Sequence, residues 1–148
     1  MKRIGLLSIL LFVSCYLSFG QQLQSPYDFH RTDYGKAFTP HHHLVDYVEH
    51  VANNSDRVTL IEYGETNEDR PLLLATITTP ENQGMIDEIR KKHLAGIGMA
   101  LADRDSTDKK YSIVWLSFGV HGNEAGASES SMNVLYKLAN PRNVQTGE

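Results

Sequence analysis

His121 and Glu124, in the stretch His121-Gly122-Asn123-Glu124, are the side chains best suited to chemistry in this sequence. Imidazole nitrogen and carboxylate oxygen are both good zinc donors, and a catalytic zinc keeps three protein donors and one open position for water or substrate. A histidine and a carboxylate at this separation can reach one ion when the backbone turns tightly between them. Gly119 and Gly122 give the chain that freedom. The spacing alone is a weak signal, because a chain with seven histidines meets His-x-x-Glu easily by chance. The ordinary alternative is a histidine bonded within its loop and a glutamate drawn to a helix N-terminus by the helix dipole.

Position within the chain raises the odds. Residues 112–118, Ser-Ile-Val-Trp-Leu-Ser-Phe, form the most apolar run of the chain after residue 20. A continuous run of this length predicts a strand buried on both faces, at the centre of a sheet. Gly119 ends it, and a helix is predicted over residues 125–138, stopping before Pro141. Upstream, Thr39-Pro40 predicts a helix start, with Leu44, Val45, Tyr47, Val48 and Val51 on one face and Asn53-Asn54-Ser55 as the stop. Residues 58–63 and 71–78 read as two strands joined by a polar turn, a hairpin. Residues 81–102 carry a helical pattern weakened by Gly84, Gly96 and Gly98, with a break expected near Gly96. Strands alternating with helices predict an α/β fold, a mixed sheet covered by helices on both faces. Its site would lie at the carboxyl end of a central strand, where His121 falls.

The stretch from Ser117 to Gly126, Ser-Phe-Gly-Val-His-Gly-Asn-Glu-Ala-Gly, resembles the first metal-ligand motif of the zinc carboxypeptidases, the carboxypeptidase A-like family. Upstream, Tyr63-Gly64-Glu65 followed by Arg70-Pro71-Leu72 is similar to that family's Gly-x-Ser-x-Glu-Gly-Arg-Pro-Leu turn. It departs from the pattern in having Thr66 and Asn67 around the usual Ser and Asp69 where Gly is usual. The order of elements also matches, over roughly residues 39–138. The resemblance implies a carboxypeptidase-like α/β domain, His121 and Glu124 as the first two ligands of one Zn2+, Arg70 lining a substrate subsite, and hydrolysis of peptide bonds near a C-terminus. The third ligand, the catalytic glutamate and the arginines for the substrate carboxylate lie downstream in that family, so no catalytic residue is assigned within this chain. Two donors are too few for a tight catalytic zinc, and three strands would leave an open sheet edge. Residues 39–148 are therefore expected to be the N-terminal portion of a catalytic domain, inactive by itself.

Other features compete for attention. His41-His42-His43 starts a helix, where only residues three or four apart share a face, and His43 and His50 can share one; a solvated surface is the expected role. Gly126-Ala127-Ser128-Glu129-Ser130 is one residue short of a Gly-x-Ser-x-Gly nucleophile elbow, and strand-His121-Gly122 is similar to an α/β-hydrolase oxyanion loop. A serine hydrolase is thus the rival enzyme, although Glu124 beside an oxyanion would be unfavourable. A non-catalytic binding module that kept the fold is the third reading.

Residues 1–20 carry Lys2 and Arg3, an apolar stretch and Ser18-Phe19-Gly20, the three parts of a secretory signal peptide. Export to the periplasm or the exterior is expected, without stable membrane insertion once the leader is cleaved. Cys15, the only cysteine, fits a lipoprotein motif poorly. Residues 21–38 read as an extended leading segment. The formal net charge of −4 argues against nucleic acid as a partner, and the resemblance implies peptides or proteins as the substrate.

Overall fold

Two helices packed together against one face of a β-hairpin carry the core, and each arises from a local sequence signal. A computed structural model describes residues 22–31, 34–99 and 111–143. The elements in chain order are α1 (Pro26–His30), α2 (His41–Asn53), β1 (Val58–Glu65), β2 (Pro71–Ile77), α3 (Pro80–Gln83), α4 (Ile86–Gly96) and α5 (Ala125–Ala139). The leader reading, Cys15 included, lies outside the described residues.

α2 begins one residue later than Thr39 as cap would place it, with Pro40 at the N-cap. Tyr47, Val48 and Val51 form its buried face. α5 answers with Met132, Leu135 and Ala139, three and four residues apart on one face. These side chains and Val58 make one cluster, with Leu60, Leu73, Ala75 and Ile77 of the hairpin packed against it. The hairpin therefore alternates as a half-buried sheet should: Val58 pairs with Ile77 and Leu60 with Ala75, all on the core side. A bulge between Glu62 and Gly64 leaves Tyr63 as the extra residue, well exposed. The Ser55 hydroxyl donates to the Ala139 carbonyl at 2.9 Å, satisfying an orphan carbonyl at the C-terminus of α5.

The helix predicted over residues 81–102 is two helices. Thr79 caps α3, its hydroxyl accepting from the Asn82 N–H. Gln83 then fastens α3 to the hairpin, donating to the carbonyls of Arg57 (2.7 Å) and Thr76 (3.1 Å) and accepting from the Thr59 hydroxyl (2.9 Å). That anchorage breaks the pattern at Gly84-Met85, in addition to the stop at Gly96.

Two further expectations are corrected. Residues 112–118 are not a buried central strand. They run without ladder pairing, and Val114 and Trp115 are 76% and 73% exposed. The sheet among the described residues is β1 and β2 alone, antiparallel rather than mixed, and it offers this run no neighbour. Strand propensity expresses packing against cross-strand partners, so without them the run stays extended and open. The leading segment is likewise not extended throughout, because it contains α1. Ser25 caps that helix, its hydroxyl accepting from the Asp28 N–H at 3.2 Å and donating to the Asp28 carboxylate at 2.6 Å, and Pro26 takes the first helical position.

Candidate metal centre

The loop between the apolar run and α5 is a tight turn. Gly119 has φ 72°, in the left-handed region, and no atom lies within 4 Å of where its Cβ would be. Glycine is therefore required there by backbone conformation and not by crowding. The Glu124 N–H donates to the His121 carbonyl at 3.1 Å, closing residues 121–124 into a four-residue turn. Such a closure holds its end Cα atoms within about 7 Å, which is the condition that the two donors needed.

Glu124 sits at the N-cap of α5, yet its side chain makes no capping hydrogen bond. Its own carbonyl starts the helix instead, accepting from the Ala127 N–H at 3.0 Å. His121 and Glu124 are both exposed. Glu124 thus stands at a helix N-terminus, as the dipole alternative also expects, but with its carboxylate free of any capping bond. Among the described residues no group of three or more His, Cys, Asp or Glu side chains is placed to hold a metal ion. His121 and Glu124 fit zinc in donor type and in the turn that joins them, and a third donor has to come from outside the described residues.

The remaining candidates separate. Arg70 lies at the base of the hairpin turn and pairs with Glu68 at 2.6 Å, with 56% and 71% of the two side chains exposed. No hydrogen bond or ion pair among the described residues ties it to the 121–124 turn. The turn is organised by Thr66, whose hydroxyl accepts from the N–H groups of Glu68 (3.3 Å) and Arg70 (3.2 Å). Its N–H donates to the Arg70 carbonyl at 2.9 Å. Asp69 adopts φ 56°, the conformation that explains the usual glycine at its place. Ser128 lies inside α5, without the strand-to-helix turn that a nucleophile elbow needs.

The histidines of the leading half have structural roles that sequence reading missed. His30, Tyr34, His43 and Asp46 line a cleft of about 480 Å³ between the leading segment and α2, away from the 121–124 turn. The Tyr34 hydroxyl donates to the Glu129 carbonyl at 2.9 Å and is bonded by Asn133, while Thr39 bonds the Glu129 carboxylate. Burial and the nearby Glu129 push the Tyr34 hydroxyl above its ordinary pKa. The Ser25-Pro26-x-Asp28 pattern was the one available signal for this docking. Nothing in the sequence marks which lone Tyr or His reaches across to another element.

A family model described as zinc carboxypeptidase matches residues 44–147, a span that contains the hairpin turn, the 121–124 turn and α5. The chain belongs to the zinc carboxypeptidase family. No curated protein and no solved structure matches it. Membership implies a zinc-using peptide hydrolase with peptide or protein substrates.

Proposed function

We propose that His121 and Glu124 are the first two protein ligands of a catalytic zinc in a metallocarboxypeptidase-type hydrolase that cleaves peptide bonds near a C-terminus. The observation that carries this reading is the 121–124 turn, in which Glu124 stands at the head of α5 with its carboxylate unused by the helix. The Gly119 bend aims the turn, and the buried half of α5 holds it in place.

When bound, zinc supplies a Lewis acid for the scissile carbonyl and lowers the pKa of its water towards about 7. The part of this chain is to supply donors: an imidazole nitrogen from His121 and a carboxylate oxygen from Glu124. The third donor and the general base come from outside the described residues. In this reading Arg70 faces the substrate as a fixed cation suited to a carboxylate or carbonyl. Its existing partner, Glu68, is largely solvated and holds it weakly. Export through the 1–20 leader, with residues 39–148 as the catalytic portion, completes the proposal.

The test uses a form of the protein that carries the third donor. Peptide hydrolysis should disappear on strong chelation and return with zinc. Hydrolysis that survives chelation would sink the metal mechanism.

A further inference from the structure

Residues 22–31 are held on α2 by a set of contacts, one of which only a neutral imidazole can provide. The Gln24 N–H donates to His50 Nε2 at 3.1 Å, and the Tyr47 hydroxyl donates to the Gln24 carbonyl at 3.0 Å. A backbone N–H is always a donor, so His50 Nε2 must present a lone pair, and imidazolium has none. The Phe29 ring packs against His50 and Tyr47, with centroids 4.9 Å and 5.3 Å away. At the other end of α1, His30 lies 5.7 Å from the Tyr47 ring and 5.9 Å from His43. Its Nε2 is buried and has no hydrogen-bond partner among the described residues. A neutral ring tolerates that site, whereas a protonated Nε2–H would be a buried charged donor without an acceptor.

We propose that His50 and His30 form a proton-released clasp: while neutral they dock residues 22–31 onto α2, and their protonation frees that segment while α2, the hairpin and α5 stay folded. The groups facing each ring are consistent with this. Around His50 stand Tyr47 and Asn54 of α2, with Gln24 and Phe29 of the leading segment. Asp28 of α1 is tied to Ser25. Around His30 stand His43 and Asp46 of α2, Glu129 of α5, and Tyr34. His43 opposes a charge on His30, and Glu129 and Asp46 favour one, but burial outweighs them. Burial alone lowers His50.

Both histidines are therefore held below their free value of about 6.5 when docked. A lowered docked value means that the clasp is complete above about pH 6.5 and is lost as the pH falls from there through the docked value.

Amide hydrogen exchange on the whole chain, corrected for intrinsic rates, tests this between about pH 7.5 and about pH 5. Protection at Gln24 should fall by up to about tenfold per pH unit for each titrating histidine, with the α2 and α5 amides unchanged. The double variant His30→Gln with His50→Gln keeps an acceptor that does not titrate, and should hold Gln24 protection flat. Unchanged Gln24 protection in the wild type, a loss that persists in the double variant, or a parallel loss across α2 would each overturn the clasp. Should the double variant fail to dock at the higher pH, imidazole nitrogen resonances of the wild type decide. Titration of both rings below about 6.5 supports the clasp, and titration of either at or above it refutes it.

Discussion

Met132→Ala is the sharpest probe of how α5, and with it Glu124, is held. Met132 is fully buried beside Tyr47 and Val51, which are also at 0% exposure. Truncation removes the whole side chain beyond Cβ from the centre of the α2–α5 contact. The lost transfer free energy is about 2 kcal/mol. A residual cavity of roughly 40 Å³, at about 24 cal/mol per Å³, adds about 1 kcal/mol. The expected cost is therefore about 3 kcal/mol, a large share of the 5–15 kcal/mol or so that domains usually hold. Urea unfolding followed by far-ultraviolet circular dichroism measures it. With a slope near 1.5 kcal/mol per molar, the midpoint should fall by about 2 M. Met132→Leu, nearly volume-conserving, should cost less than about 1.5 kcal/mol. Ser130→Ala, on the exposed side of the same helix, should stay within about 0.5 kcal/mol. A Met132→Ala shift no larger than that of Ser130→Ala would refute the packing of α5 on α2.

Three further outcomes are expected. Asp69→Gly relieves the left-handed backbone of the hairpin turn and should raise stability by about 0.5 kcal/mol, the relief exceeding the entropy glycine adds to the unfolded chain; a lower melting temperature would contradict it. Tyr34→Phe removes the hydroxyl that joins the leading segment to Glu129 and Asn133 and should cost about 1–2 kcal/mol in the same urea assay; no loss would mean that those bonds contribute nothing. Trp115, the single tryptophan, should show solvent-like emission and ready quenching by acrylamide; a blue-shifted, protected tryptophan would show that residues 112–118 have found sheet partners.

The elements legible in the sequence are those specified by their own residues. α2 announced itself through Pro40 and the spacing of Leu44, Tyr47, Val48 and Val51, and its stop through Asn53-Asn54. The hairpin was readable from two β-rich runs around a polar turn, and α5 from its place between the Gly119 stop and Pro141. The 112–118 run shows the boundary of the method. Its composition demands burial, but burial depends on neighbours that its own residues do not encode. The helical pattern over residues 81–102 failed at Gly84-Met85 because Gln83 is captured by the hairpin, a tertiary effect invisible to periodicity. Within the site, the turn at 121–124 was inferable from Gly119, Gly122 and the residue types. The freedom of the Glu124 carboxylate from capping was not, since Glu at a helix start is also placed there by the helix dipole alone. The docking roles of Tyr34 and His50 rest on contacts with residues far away in the chain, and that of His30 on ring contacts with His43 and Tyr47, and none of these leaves a pattern in the sequence.

Zinc titration of the isotopically labelled chain, read at the imidazole resonances of its seven histidines, tests the central claim most directly. His121 should respond first, and Glu124→Ala should weaken that response by at least about tenfold while leaving the other histidines unchanged. A response confined to His41, His42 and His43, with His121 unmoved, would contradict the assignment of His121 and Glu124 as the zinc ligands.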